Sequence, residues 1–269
     1  MTFVSFQHAG RSDIGERKRQ EDAYGVKVFQ RFDKNTGNGS DKRRCMELIA
    51  VLADGMGGHV GGAKASKITC GSFMTTYPKI EGSIDRRLLL SLDASNKTVS
   101  KAIENDPQLE GMGCTLVGVC VDQSGVHWVS VGDSLLYLFH NKKLSKLNED
   151  HSLAPVLNDL VGRGEITTVE ALHHPKRNML RSAVTGDEIT LVDLNREAIP
   201  LAKGDWLIMA SDGLATLSYD RIAKIVSQNS SKSADHMAQE LLGAVKKKAA
   251  PEQDNITVVA IGFDKKSPK

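Results

Sequence analysis

Apolar residues run along the chain in short blocks broken by polar and glycine-rich stretches. Residues 3–8 alternate apolar and polar positions, the period of a strand. A second strand is expected at 24–29 and a third at 45–53, where Leu48-Ile49-Ala50-Val51-Leu52 is continuous enough to be buried on both faces. Two helices follow, at 62–77 and 84–105. The second carries Leu88, Leu92, Ser95, Val99 and Ile103 at three- and four-residue steps, one amphipathic face. Further strands are predicted at 111–121, 126–131, 135–139, 143–147, 189–194, 205–210 and 256–261. Helical pattern covers 219–228 and 234–248. Residues 150–175 look helical but are broken by Gly162, Gly164 and Pro175. Ser12-Asp13-Ile14-Gly15 reads as a turn, 33–43 as an exposed hairpin loop, and 265–269 as a frayed tail. Many strands with paired helical regions between them predict an α/β (α+β) protein, with antiparallel sheets stacked face to face and helices outside.

The 269 residues allow one large domain with a sizeable core. No linker or internal repeat divides them. With 35 basic against 33 acidic residues, the net charge of +2 gives no drive toward nucleic acid or an anionic membrane. The runs Lys42-Arg43-Arg44 and Lys246-Lys247-Lys248 are short and read as solvated surface. Cys45, Cys70, Cys114 and Cys120 form no CxxC and do not suit a zinc site; Cys114 and Cys120 lie in an apolar strand-like run, so buried free thiols are expected, which fits a reducing compartment. The N-terminus lacks the form of a signal peptide, and no apolar run reaches membrane-span length. A cytoplasmic protein is expected.

The chemistry gathers at strand ends. The buried run 48–52 leads into Ala53-Asp54-Gly55-Met56-Gly57-Gly58-His59, a carboxylate on a turn with little side-chain bulk. Carboxylate and bare carbonyl oxygens suit a hard cation such as magnesium or manganese. Asp133 (VGDS), Asp212 (SDG) and Asp254 (QDN) sit in similar settings. Taken singly, each is an ordinary turn residue. Together they suggest carboxylates converging at one end of a sandwich, where only positive charge between them relieves the repulsion.

These residues carry a family resemblance. Arg17-x-x-Gln20-Glu21-Asp22, Ala53-Asp54-Gly55-Met56-Gly57-Gly58, Gly113-Cys114-Thr115-Leu116-Val117, Val131-Gly132-Asp133-Ser134, Glu149-Asp150-His151-Ser152, Ser211-Asp212-Gly213-Leu214 and Asp254-Asn255-Ile256-Thr257 occur in order. From about residue 8 to 262 the chain resembles the metal-dependent Ser/Thr protein phosphatases of the protein phosphatase 2C-like (PPM) family, in its bacterial form. Each motif alone is weak; the ordered set is specific. The resemblance implies a central β-sandwich of two antiparallel sheets flanked by pairs of helices. It implies one domain over 1–264, with a flap subdomain at about 150–187.

The resemblance also implies roles. Asp54 bridges two manganese or magnesium ions and orients the nucleophilic water, with the Gly55 carbonyl on one ion. Asp212 and Asp254 complete the second ion's shell. Glu21 and Asp22 ligate the ions or bind their waters, Asp133 helps hold a weak third ion, and Arg17 binds phosphate. The chemistry fits: phosphate-monoester hydrolysis is very slow unaided, and a two-metal site supplies an activated water held in line with phosphorus. A guanidinium offers a planar fork to phosphate oxygens.

Departures from the family pattern qualify these roles. Gln20 replaces an asparagine, a change of amide for amide. Met56 stands where many eukaryotic members carry a histidine, so leaving-group protonation falls to a metal-bound water or is unnecessary. Thr216 replaces an aspartate that helps hold the third ion, and Leu135 replaces an arginine. His59, His151, His173 and His174 read as surface or structural residues, although His173 and Arg177 fall in the flap, where substrate contact is expected.

The leading expectation is an enzyme acting on phosphoserine and phosphothreonine. Its partners are phosphorylated proteins, among them a Ser/Thr kinase and its substrates, and the chain is expected to be a monomer with no nucleic-acid or membrane partner. Two alternatives stand beside it. One is a dedicated phosphatase for an anti-sigma antagonist, although such members usually carry sensory domains. The other is a catalytically inactive fold kept for binding or regulation, which typically loses a core aspartate; Asp54, Asp212 and Asp254 are all present here.

Overall fold

The computed structural model describes residues 4–33, 43–57 and 61–265. The expected hairpin loop at 33–43, His59 and the expected frayed tail lie wholly or mostly outside these residues. Two five-stranded antiparallel sheets stack face to face. The first runs β1 (Val4–Asp13), β12 (Ile256–Lys265), β11 (Trp206–Ala210), β8 (Leu135–His140), β9 (Lys143–Lys146). The second runs β10 (Asp193–Leu194), β7 (Gly125–Val131), β6 (Leu116–Asp122), β3 (Arg43–Ala53), β2 (Ala23–Asp33). A two-stranded ribbon pairs β4 (Gly55–Met56) with β5 (Gly113–Cys114).

The strands are apolar throughout because both faces are covered. In β3, Leu48, Ala50 and Leu52 enter the core between the sheets, beside Val117, Trp128, Leu207, Met209 and Ile261. Ile49, Val51 and Ala53 point the other way, against a core shared with Phe73, Leu88, Leu92 and Val99 of α1 (Gly61–Thr76) and α2 (Ile84–Asn105). In β11 the same alternation sends Trp206, Ile208 and Ala210 toward Ile222, Met237 and Leu241 of α5 (Tyr219–Asn229) and α6 (Ala234–Lys248). A period of two on a doubly covered sheet yields the four layers, helix pair, sheet, sheet, helix pair.

The expected helices at 62–77, 84–105, 219–228 and 234–248 lie within a residue or two of those observed. Two strand expectations and one turn change. The predicted 111–121 strand is split at Thr115, whose backbone N–H bonds to the Asp54 carbonyl instead of the ladder. The predicted 189–194 strand shrinks to Asp193–Leu194, because Thr190 and Leu191 bond to Arg181 and Ser182 rather than to a sheet. The predicted turn at Ser12 starts later, since Ser12 and Asp13 still pair with Thr257 and Ile256.

Between β9 and β10 the chain forms two short helices, α3 (Ala154–Gly162) and α4 (Thr168–Leu172). The second opens with a capping box: the Thr167 hydroxyl accepts from Glu170 N–H at 3.2 Å, and the Glu170 carboxylate accepts from Thr167 N–H at 2.7 Å. Leu153 N–H to Met179 O and Arg181 N–H to His151 O fasten the base of this segment. Cys70, Cys114 and Cys120 are free and buried in the α1–α2 core. No described helix is long and apolar enough to cross a membrane.

One buried ion pair joins α2 to β3. Arg87 donates to both oxygens of Glu47, at 2.7 and 2.8 Å, and its guanidinium lies 4.7 Å from the Tyr77 ring centroid. Both residues are under 5% exposed. Removing one partner leaves the other charge buried and alone, so Arg87→Ala is expected to cost about 3–5 kcal/mol in urea unfolding.

Candidate active site

The sandwich ends in an open cleft of about 850 Å³. Its lining includes Arg17, Lys18, Arg19, Glu21, Asp54, Gly55, Met56, Thr115, Asp133, Asn178, Leu180, Asp212, Asp254 and Asn255. Asp54 follows the last residue of β3, Asp133 follows β7 by two residues, and Asp212 follows β11 by two. Asp254 instead precedes its strand. Antiparallel pairing of β12 with β11 brings the start of the one to the end of the other, so all four aspartates reach one place.

The turn that carries Asp54 is fixed by Thr115. The Thr115 hydroxyl accepts from Asp54 N–H at 3.0 Å, and Thr115 N–H donates to the Asp54 carbonyl at 2.9 Å. The same hydroxyl lies 2.7 Å from Ser134 Oγ, beside Asp133. Gly55 must be glycine: a Cβ there would stand 2.3 Å from Gly62 O and 2.6 Å from Glu21 O. Gly132 holds φ of +98° and packs on Thr115, so the Asp133 turn also needs the freedom of glycine. His151 closes that turn from behind, its Nδ1 accepting from Gly132 N–H (3.3 Å) and its backbone N–H donating to Gly132 O (3.0 Å).

The electrostatics follow from crowding. Burial, and next the charges of Asp22, Asp212, Asp133 and Asp254, push the Asp54 carboxyl well above the ordinary range. Burial chiefly, then Asp212 and Asp150, raises Asp133 to about 7. Asp212 is raised by burial and by Asp254. Asp22 lies beneath the cleft floor and is raised to about 6, mainly by burial. Its Oδ2 accepts from Ser211 Oγ at 2.8 Å, while its buried Oδ1 has no hydrogen-bond partner. Arg17 donates to Asp254 at 2.5 Å; both side chains are substantially exposed at the cleft rim.

These residues fit divalent cations. The donor set is oxygen, the carboxylates repel one another, and one buried carboxylate oxygen is unsatisfied; a cation answers all three. The fit is an open one. Among the described residues no three His, Cys, Asp or Glu side chains are grouped closely enough to hold one metal ion between them, so the fit rests on the chemistry of the donor set and not on a ready-made ligand cage.

The other expected site residues fall differently. His173 and Arg177 do not line the cleft: His173 Nδ1 bonds to Val169 O, and Arg177 bonds to Asn158 and the Ala171 carbonyl. One nitrogen of each bonds within the α3–α4 segment, and from the same region Asn178 and Leu180 line the cleft. Thr115 and Asn255 stand inside recognised motif strings, yet sequence reasoning gives them no role. Thr115 has no acidic neighbour in the chain, and an amide beside Asp254 reads as an ordinary turn residue, so neither carried a signal.

The family model described as Protein phosphatase 2C matches residues 10–253. The chain belongs to this family. The phosphatase is 32% identical over 213 residues to Serine/threonine phosphatase stp of Listeria innocua, a match covering 77% of each chain. Its fold superposes on the Mycobacterium tuberculosis serine/threonine phosphatase PstP/Ppp with a TM-score of 0.75 and 29% identity, covering 96% of this chain and 99% of that one. A structure of the PstP catalytic domain in complex with two manganese ions gives a TM-score of 0.73 and 28% identity, over 97% and 99%. The two stacked antiparallel sheets with outer helices are thus the family's architecture.

The raised carboxyls make metal-free stability pH-dependent. A group whose folded pKa lies above its unfolded value stabilises the fold below the unfolded pKa and loses that contribution as pH rises through the folded one. For Asp22 and Asp133 the loss runs from about pH 4 to about pH 7. In chelator, Tm is therefore expected to be higher at pH 5 than at pH 8. Manganese at roughly a hundred times its Kd adds about 2.7 kcal/mol. That should raise Tm by roughly 5–10 °C at pH 8, and by less at pH 5.

Proposed function

We propose that this phosphatase hydrolyses phosphoserine and phosphothreonine in proteins, with two divalent cations held by Asp54, Asp212, Asp254 and the Gly55 carbonyl. The observation that carries this reading is the convergence of Asp54, Asp133, Asp212 and Asp254 in one open cleft with Arg17 on its rim. When bound, the cations supply Lewis-acid charge that lowers the pKa of water and neutralises phosphate oxygens. Manganese is the metal we favour, since the related PstP catalytic domain holds two manganese ions.

The chain's own groups do the rest. Asp54 faces the centre of the acidic set and orients the water that attacks phosphorus. Arg17, exposed and able to turn from Asp254, presents its planar guanidinium to the phosphoryl oxygens. Glu21 and Asp22 would ligate the cations or bind their waters, and the unpaired Oδ1 of Asp22 is free to do so. A third cation beside Asp133 would be held weakly, since Thr216 stands in place of the family aspartate and its hydroxyl donates to Gln253 Oε1 at 2.7 Å. We assign one domain over 1–264, with residues about 150–187 as a flap that offers Asn178 and Leu180 to the cleft. We further propose a cytoplasmic monomer that reverses the work of a Ser/Thr kinase.

Hydrolysis of a phosphothreonine peptide is expected to require manganese or magnesium and to stop in chelator. Asp54→Asn and Asp212→Asn should each lower kcat at least about a hundredfold in folded protein. Arg17→Ala removes charge-assisted hydrogen bonds of about 1.5–3 kcal/mol, so KM should rise about 10- to 100-fold. Unchanged peptide binding together with no turnover in the metal-loaded wild type would instead mark a binding module.

A further inference from the structure

Asn255 neighbours Asp254 and is 4% exposed. Its side chain is spent on one stretch of backbone. Nδ2 donates to Ile14 O at 2.8 Å and to Arg19 O at 2.9 Å. Oδ1 accepts from Glu21 N–H at 2.7 Å. Ile14 O also accepts from Arg17 N–H, at 3.3 Å. On the other side of Asp254, Gln253 O accepts from Glu16 N–H at 2.8 Å. The stretch 14–21 is therefore tied on both flanks of Arg17 to the two residues that bracket Asp254.

We infer that Asn255 is a positioning residue for phosphate binding: its amide fixes the 14–21 stretch so that Arg17 stands over the cleft. The inference rests on the reading of Arg17 as the phosphate ligand. Arg17 is a long side chain, 57% exposed and paired here with Asp254; when it turns from that carboxylate, where its guanidinium can reach is set by the backbone beneath it. The amide suits the task. It carries two donors and an acceptor on one short plane. Aspartate matches its shape and still accepts from Glu21, but it turns lone pairs toward the Ile14 and Arg19 carbonyls. Glutamine adds a methylene in a space that is already filled. A displacement of about 1 Å at a substrate-positioning group can cost up to about a hundredfold.

The test is a double-mutant cycle on phosphate affinity, read as the inhibition constant of inorganic phosphate against a small aryl phosphate at saturating manganese. Arg17→Ala and Asn255→Asp are each expected to raise it about tenfold. In the Arg17→Ala background, Asn255→Asp should change it by less than about twofold, because the group through which Asn255 acts is gone. A merely structural loss would multiply through both backgrounds. If Asn255→Asp fails to show a cooperative thermal transition, Asn255→Ala, which puts no charge against the carbonyls, takes its place in the cycle. Multiplicative effects, or an unchanged constant in a folded Asn255 variant, overturn the inference alone. An Arg17→Ala variant with unchanged phosphate affinity overturns the phosphate reading of Arg17, and the inference with it.

Discussion

Carboxylates held closer together than they would choose to stand are the constraint around which this molecule is arranged. Each of Asp54, Asp133 and Asp212 follows a strand whose two faces are buried, so none can retreat without disturbing a sheet. Core residues such as Leu52, Val131 and Ala210 anchor those strands only a few positions away. The interior thus supplies the force that keeps like charges together, and a cation relieves the repulsion where it binds. A hydroxyl network steadies the arrangement: Ser211 serves both Asp22 and Thr257 N–H, while Thr115 links the Asp54 turn to Ser134.

Much of this was legible in the chain. The run 48–53 announced a doubly buried strand, and its alternation sorts Leu48, Ala50 and Leu52 from Ile49, Val51 and Ala53. Helix periodicity placed α1, α2, α5 and α6 within a residue or two. Pairing order was not legible, because strand neighbours such as β3 and β6 are far apart in sequence and nothing local encodes their register. The splitting of the 111–121 strand at Thr115 was hidden for the same reason: its cause is a long-range bond to Asp54.

The acidic residues were legible as a set because each stands beside glycine or a small residue after, or just before, an apolar run. The direction of His173 and Arg177 was not. Both look like surface groups suited to substrate, yet one nitrogen of each bonds to α3–α4 backbone or to Asn158 and neither lines the cleft. Asn255 shows the converse: an amide in a motif is silent in sequence, and its meaning emerges only when Ile14, Arg19 and Glu21 fold around it.

β1 and β12 pair along their whole length, from Val4 with Lys265 to Asp13 with Ile256. The cleft lies at the second end of that ladder; the first and last described residues lie together at the other. Ten residues of strand, at about 3.4 Å each, separate the two ends by roughly 30 Å. A module inserted next to Val4 or Lys265 would join the sheet at the pole of the molecule remote from the cleft. Changes at that pole therefore leave the approach to the cleft open.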